Sequence, residues 1–365
     1  MRVRLVQLPA IPSLGVYPTY RLAAGVQELI RRQFLDAKGG AATAVTAAAE
    51  QQDAGKLPLR SSLSPPPPTV IAFTPSPTYT LGRRQTSATL TATDLAGLRA
   101  PLTVCPSRSG NDDGDGDGNS DRNGDENVGS TTFTPAVEEA PRGGLMTYHG
   151  PGQAVLWPIF DLKAPAHRQF TVRAYSRLLE TVTAEVLQKR FGLAAYTTPD
   201  AGLWVRSPGR GSRGAGGDAE EQKEEEEERK IAALGVHLRR NIAALGVAVN
   251  LNTPVTRYGG VTEPLSSSSP ANATELNPWV RFVPCGIGGK GVSSVADEGR
   301  LRFGRVPAAW DLDPVPFAAQ WAAAFAVHLG LEPDVDVADR EAVTQFIDQA
   351  KKRLYAAAQR EAAER

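Results

Sequence analysis

The sequence predicts an α+β fold, a mixed β-sheet flanked by helices. Runs of 4–8 apolar or alternating residues, bounded by glycine and proline, recur up to residue 251 and predict strands. Two helical patterns then follow together at the C-terminal end, with no predicted strand between them. Runs of strands followed by segregated helices favour an α+β sheet over a doubly wound parallel sheet.

The individual elements follow from local patterns. Residues 3–7 are predicted as the first strand and residues 22–34 as a helix with an apolar stripe. Residues 170–191 have apolar side chains at helical spacing and end at Gly192, a suitable C-cap. Further strands are predicted at residues 69–73, 78–81, 144–149, 154–160, 203–205, 231–238, 243–251 and 279–283, and helices at residues 316–329 and 340–364.

Four low-complexity inserts interrupt this pattern, near residues 38–68, 107–140, 207–229 and 259–276. They hold too few apolar side chains to offset their ordering entropy, so we expect long disordered surface inserts. The rest is expected to form one large domain, residues 1–330, followed by a helical extension, residues 331–365. The Asp/Gly run at 111–118 lacks the twelfth-position glutamate of a calcium loop, so we predict no metal site.

The composition excludes several classes of protein. Lysine and arginine number 40 and aspartate and glutamate number 40, so net charge gives no reason to expect a nucleic-acid partner. There is no run of about 18 apolar residues, so we expect no membrane span. Two cysteines give no disulfide framework and favour a reducing compartment. The first 27 residues carry three arginines and no acid, a weak feature of an import sequence.

One of the two cysteines lies in the motif Pro284-Cys285-Gly286-Ile287, after an apolar, aromatic run. Proline and glycine around a thiol at the end of a predicted strand mark a sharp turn where the sulfur can face a cleft. Cys285 is therefore a candidate nucleophile. The alternative is a small buried apolar residue, which is what most free cysteines are.

A second motif is the segment 142–153, Arg-Gly-Gly-Leu-Met-Thr-Tyr-His-Gly-Pro-Gly-Gln. Paired glycines expose backbone N–H groups that can bind an anion or an acyl carbonyl. A plain hairpin is the alternative, but Arg142 and His149 favour a binding site. A third motif, residues 230–235, starts at Lys230, whose ammonium can stabilise a nearby thiolate. A fourth, residues 246–250, is a strand of small residues that a ligand can approach closely.

Together the four motifs resemble the octanoyltransferase (lipoyl(octanoyl) transferase) family of lipoate biosynthesis. The segment 142–153 is similar to a complete family signature, and residues 79–84, 230–235 and 284–295 match further family segments in order. The resemblance implies the α+β fold of biotin and lipoate protein ligases, with residues 1–330 as the octanoyltransferase catalytic domain. It also implies octanoyl transfer from octanoyl-acyl carrier protein to a lysine of lipoyl domains, those of 2-oxoacid dehydrogenases and of the glycine cleavage H protein.

The resemblance further implies an acyl-thioester on Cys285, activation by Lys230, no cofactor and, in a eukaryotic source, a mitochondrial location. It implies these substrate contacts: Arg142, Gly143, Gly144, Leu145, Met146, Thr147, Tyr148, His149, Ala233, Leu234, Gly235, Gly246, Val247 and Ala248. Leu245 stands where the family usually has histidine, which puts the shape of the acyl pocket in doubt. Two alternatives stay open: an ATP-dependent lipoate or biotin protein ligase, and a non-catalytic relative that binds lipoyl domains or acyl carriers.

Overall fold

The computed structural model describes residues 1–50, 65–104, 130–207, 226–255, 275–282, 290–308 and 311–363, with the backbone alone for 40–50. The strands are β1 (Val3–Gln7), β2 (Thr69–Phe73), β3 (Thr78–Leu81), β4 (Leu102–Val104), β5 (Thr131–Phe133), β6 (Ala136–Glu139), β7 (Thr147–His149), β8 (Gln153–Ile159), β9 (Tyr196–Thr197), β10 (Leu203–Ser207), β11 (Glu227–Arg239), β12 (Ile242–Asn250), β13 (Gly291–Val292) and β14 (Val335–Val337). The helices are α1 (Tyr20–Glu50), α2 (Ala92–Leu98), α3 (Val172–Phe191), α4 (Val295–Phe303), α5 (Pro314–His328) and α6 (Arg340–Ala363).

Within these ranges, nine strands form one mixed sheet in the order β14-β1-β2-β8-β12-β11-β10-β9, and β13 pairs with β11. Every residue of β2, β8 and β12 is buried, as expected for strands covered on both faces. Helix α1 packs against these strands and against α6, whereas α3 and α5 pack against each other and the sheet. This arrangement confirms the predicted α+β class.

A smaller sheet, in the order β6-β3-β7, supports a second apolar core. Its aromatic centre consists of Tyr79, Tyr148 and Trp279, and the Tyr79 hydroxyl donates to the Pro278 carbonyl at 2.9 Å. The described part of the chain contains no helix both long enough and apolar enough to cross a bilayer.

The predicted strand at 279–283 is wrong over its described residues, because Pro278–Arg281 forms a 3₁₀ turn. The Asn277 side chain accepts the Trp279 N–H at 2.9 Å, and Pro278 already has the backbone angle of a first helical residue. This local capping outweighs the strand propensity of the aromatic and branched side chains.

Secondary structure also extends into regions that we expected to lack it. Helix α1 continues to Glu50, strands β5 and β6 lie within 107–140, and β11 begins at Glu227. Strand β14 lies in the expected helical extension and pairs in parallel with β1. Short polar strands are stabilised by their pairing partners, which local composition does not report. The run 111–118 lies outside the described residues.

Candidate active site

The Arg142 side chain organises the glycine-rich segment. Its Nη2 donates to the carbonyl and hydroxyl oxygens of Thr80 at 2.7 and 2.8 Å. Its Nη1 donates to the carbonyls of Gly143 and Leu145 at 3.1 and 2.7 Å. The guanidinium therefore ties the loop to strand β3, and Gly144 turns the chain with a φ of 84°.

The structure brings nine of the predicted substrate residues into the wall of one cavity between α1, β7, β11 and β12. These nine are Arg142, Thr147, His149, Ala233, Leu234, Gly235, Gly246, Val247 and Ala248. The cavity volume is about 30 Å³. Typical small-ligand sites hold ~300–1,000 Å³, so a bound acyl chain requires the walls to move apart.

Three further residues line the cavity: Tyr20 and Trp157, which were missed from the sequence, and Leu245, which was named there only as a departure from the family pattern. Tyr20 begins α1, and its ring lies 5.4 Å from His149 and 5.2 Å from Trp157, centroid to centroid. Leu245 has a φ of 61°, a strained value for a branched apolar residue. The sequence around Tyr20, at the start of α1, contains no motif that would have assigned this residue to the site.

The remaining predicted contacts are placed differently. The Tyr148 ring is buried in the second core against Tyr79 and Trp279. Met146 is buried there too, and its N–H donates to Gln85 Oε1 at 3.0 Å. Gly143, Gly144 and Leu145 form the loop held by Arg142. These residues do not line the cavity; they lie in the second core and in the loop next to it.

Two glycines on paired strands line the cavity, where larger side chains would not fit. Gly235 on β11 pairs directly with Gly246 on β12. A Cβ at Gly235 would lie 2.6 Å from Arg142 Cδ, and one at Gly246 would lie 2.2 Å from the Leu156 carbonyl oxygen. A larger residue at 235 would therefore displace the Arg142 side chain, and one at 246 would displace strand β8.

We expect Gly235→Ala to destabilise the fold by about 1–3 kcal/mol, because Arg142 is held by four hydrogen bonds and cannot shift cheaply. Urea unfolding measures this effect. Gly97→Ala is the matched control, since no atom lies within 4 Å of its added Cβ. Equal stability of the two variants would contradict the crowding predicted at Gly235.

His149 is held by a buried chain of side-chain amides. Its Nδ1 lies 3.3 Å from Gln153 Oε1, and Gln153 Nε2 donates to Asn250 Oδ1 at 2.8 Å. Asn250 Nδ2 in turn donates to the Ser293 carbonyl at 3.0 Å. The Ser293 carbonyl can only accept, so this series of hydrogen bonds fixes the orientation of both side-chain amides. Gln153 therefore presents its oxygen to His149, and the imidazole proton lies on Nδ1. The Nε2 of His149 is then an acceptor.

The His149 imidazole is neutral at physiological pH. Burial, reinforced by the positive charge of Arg142, lowers its pKa from 6.5 to about 3, and the Gln153 hydrogen bond opposes this only in part. An uncharged, oriented imidazole suits hydrogen bonding to a substrate better than proton transfer at neutral pH.

This pKa predicts a stability loss in acid. Below pH 6.5 the unfolded chain gains a proton on His149 that the folded chain does not, so stability falls with decreasing pH until about pH 3. The expected slope from this residue is about 1.4 kcal/mol per pH unit. Urea unfolding between pH 7 and pH 4 should show a shallower decline for His149→Gln. Identical slopes for the wild type and His149→Gln would contradict the assignment.

Lys230 lies on β11, three residues before Ala233, and is buried. Its Nζ donates to the Ala201 carbonyl at 3.0 Å and lies 4.7 Å from the centroid of the Trp204 ring. A β-bulge where β11 pairs with β10, between Leu203 and Trp204, interrupts the alternation of side chains at this point. The lysine is thus held by a carbonyl and an aromatic face in a desolvated setting.

Cys285, Gly286 and Ile287 lie outside the described residues, as does Cys105. The chain described before them ends at Phe282, which packs on Tyr79 and Trp279. After them, Val292 on β13 lies in register with Lys230, and the Ser293 N–H donates to the Lys230 carbonyl at 2.9 Å. The segment that contains Cys285 is therefore joined at its C-terminal side to the strand of Lys230.

A fully buried carboxylate stabilises this junction. Glu298 of α4 accepts hydrogen bonds from Ser207 of β10 and from Ser293, both at 2.5 Å. Arg302 donates to the other carboxylate oxygen at 2.9 Å. The Ser207 and Ser293 hydroxyls therefore tie Glu298 of α4 to strand β10 and to the residue that follows β13.

The insert 207–229, which ends just before Lys230, was expected to be a disordered surface segment. In the described part, Glu228 instead pairs with Lys290 at 2.9 Å and accepts the Tyr196 hydroxyl at 2.9 Å. Lys290 Nζ also lies 4.7 Å from the Trp204 ring. Its ammonium offsets the negative charge of Glu228, which lies two residues before Lys230.

Comparisons with known proteins agree with these motifs. Residues 136–300 match a family model described as the lipoyl protein ligase A/B catalytic domain. An octanoyl-[acyl-carrier-protein]:protein N-octanoyltransferase LIPT2, mitochondrial, of Danio rerio is 34% identical over 157 residues, which cover 43% of this chain and 50% of that protein. The chain spans about half the length of most curated relatives that it matches.

One solved structure, of an archaeal bi-partite lipoate protein ligase and its E2 lipoyl domain from Thermoplasma acidophilum, aligns over 95% of this chain and 92% of its own, at 12% identity and a TM-score of 0.45. A probable octanoyltransferase of Schizosaccharomyces pombe is 30% identical over 237 residues, covering 64% of this chain and 70% of that protein. With the complete signature at 142–153, that similarity shows that this chain belongs to the octanoyltransferase family.

Proposed function

We propose that this protein transfers an octanoyl group from octanoyl-acyl carrier protein to a lysine of lipoyl domains, through an acyl-thioester on Cys285. The acceptors are the lipoyl domains of 2-oxoacid dehydrogenases and the glycine cleavage H protein. The observation that supports the proposal most is the convergence of nine predicted substrate residues on one cavity, three of them on β11, the strand that also carries Lys230. Family membership supports it independently.

In the first half-reaction, the Cys285 thiolate attacks the carbonyl carbon of the octanoyl thioester. The carrier's C–S bond breaks, and its thiol leaves with a proton. A free thiol with pKa ~8.5 is only a few per cent ionised at neutral pH, so the Lys230 ammonium assists by stabilising the thiolate. Backbone N–H groups of Gly143, Gly144 or Gly286 are proposed donors to the oxyanion.

In the second half-reaction, the amine of the lipoyl-domain lysine attacks the acyl-cysteine. An amide bond forms, the C–S bond to Cys285 breaks, and the amine proton passes to the departing sulfur. Exchange between two thioesters is nearly isoenergetic and amide formation from a thioester is downhill, so the cycle needs no ATP. The neutral His149, with Nε2 as an acceptor, is proposed to orient the substrate.

We propose a mitochondrial location, with the acyl carrier and the lipoyl domains as partners in that compartment. A relative named as mitochondrial supports this proposal. Equally similar relatives are bacterial, so fractionation with an epitope-tagged protein is the direct measurement.

The decisive experiment incubates the protein with octanoyl-acyl carrier protein in the absence of ATP. We expect an octanoyl mass gain on the protein that neutral hydroxylamine removes, followed by transfer to a lipoyl domain. Transfer that occurs only with ATP and free octanoate would instead identify an ATP-dependent ligase. Binding of a lipoyl domain or acyl carrier without any mass gain would identify a non-catalytic relative.

A further inference from the structure

A group of arginines lies beside the cavity and is not used by the proposed acyl-transfer steps. This basic rim consists of Arg31 on α1, Arg83 after β3 and Arg239 at the end of β11, gathered around His237. Arg83 Nη2 lies 2.9 Å from His237 Nδ1. Burial first, and then the charges of Arg83, Arg31 and Arg239, lower the pKa of His237. Three guanidinium groups thus act on one neutral imidazole.

The two exposed arginines of the rim, Arg83 and Arg239, carry positive charge that carboxylates of the described residues do not neutralise, whereas Arg31 pairs with Glu28. Among the described residues, no ion pair forms to Arg83 or Arg239, both of which are exposed. Since a guanidinium only donates, His237 accepts from Arg83 on Nδ1 and carries its own proton on Nε2. An arginine that binds a neutral histidine keeps its full charge available for an anion.

Arg31 supplies a second, independent observation. Its side chain is 10% exposed, and two of its nitrogens donate to Glu28, which also accepts from Arg32. Its third nitrogen, Nη1, is inaccessible to water and has no partner among the described residues. A buried cationic donor without a partner is unfavourable, and an incoming anion would satisfy it.

The rim continues the wall of the cavity. Gly235, His237 and Arg239 alternate along β11 and share one face, with Gly235 in the cavity wall. His237 also hydrogen-bonds the Pro141 backbone, directly before Arg142. At ~3.3 Å per strand residue, His237 lies about 7 Å along β11 from Gly235.

We propose that the basic rim binds the phosphate of a phosphorylated thiol arm whose thioester enters the cavity. This inference rests on the proposed function for the identity of the thioester. Guanidinium forks match phosphate oxygens, and three of them around one point suit a compact divalent anion better than a dispersed acidic surface. The phosphopantetheine arm has this chemistry, both in carrier proteins and in coenzyme A.

The first test measures binding alone. Calorimetric titration of the full-length protein with 4′-phosphopantetheine and with pantetheine compares the same arm with and without phosphate. We expect the phosphorylated arm to bind more tightly, and Arg83→Gln with Arg239→Gln to weaken it by about tenfold per arginine at low salt. Arg2→Gln, at the opposite edge of the main sheet, is the matched control and should bind as wild type. Equal affinity for both arms would overturn the proposal.

The second test uses three octanoyl donors: carrier protein, coenzyme A and N-acetylcysteamine. The double variant should lose kcat/KM with the two phosphorylated donors and keep the wild-type value with N-acetylcysteamine. If the double variant loses kcat/KM only with the carrier protein, the rim contacts the protein surface rather than the phosphate, and the proposal is overturned. An equal loss of kcat/KM with all three donors would also overturn it. If wild type accepts none of the donors, the proposed function fails, whereas phosphate-dependent arm binding in the first test still stands.

Discussion

Cys285→Ala is expected to abolish octanoyl transfer and to leave no acylated protein in intact-mass spectra. The thioester requires a sulfur atom, and alanine removes it while keeping the small volume of the position. Because the variant lacks the atom that forms the intermediate, we expect no residual first half-reaction above the rate without protein. Intact-mass spectrometry after a short incubation with octanoyl-acyl carrier protein measures this directly.

The chain provides its own matched control, since it contains one other cysteine. Cys105→Ala should acquire and lose the octanoyl group like the wild type. A hydroxylamine-sensitive adduct on the Cys285→Ala protein would move the nucleophile to another residue and refute the proposed mechanism.

Lys230→Met is expected to lower the single-turnover acylation rate by about tenfold or more, because each unit by which the thiol pKa rises lowers the thiolate fraction about tenfold. Methionine keeps an apolar stem against Trp204 but removes the ammonium that lies 4.7 Å from that ring. Without the positive charge the Cys285 thiolate is less stable, so the profile of thiol alkylation against pH should move to higher pH.

Lys290→Met serves as the comparison, because Lys290 contacts the same ring at the same distance but pairs with Glu228. We expect a far smaller loss from it. If both variants lose activity equally, the effect belongs to packing around Trp204 rather than to the Lys230 charge. An unchanged alkylation profile in Lys230→Met would exclude its proposed role at the thiolate.

Much of the site was predictable because its chemistry lies in contiguous motifs. The segment 142–153 needs particular residue types at particular spacings, and those spacings survive the long inserts around it. Strands β2, β3, β8 and β12 were predicted closely, since their apolar runs are bounded by turn residues. The 3₁₀ turn at Pro278–Arg281 was missed because one asparagine cap outweighed a run of strand-favouring side chains.

Other features depend on contacts between distant segments. Tyr20 enters the cavity wall only because α1 lies across the sheet and its ring stacks on His149. Strand β6 pairs with β3, and strand β14 pairs with β1. The composition of β6 and β14 alone does not predict that they form strands. The basic rim likewise joins residues from α1, from the turn after β3 and from β11, in a chain whose total charge is zero.

By itself, the order of residues predicts the type of chemistry that we propose, because thiol, amine and paired glycines are local properties of short segments. The tertiary structure alone decided which groups share an environment. Burial and the charge of Arg142 lower the pKa of His149, so its imidazole is neutral at physiological pH. The packing of four elements around the site leaves a cavity of about 30 Å³. Dielectric, charge proximity and enclosed volume arise only when remote parts of the chain pack together, so no single segment can encode them.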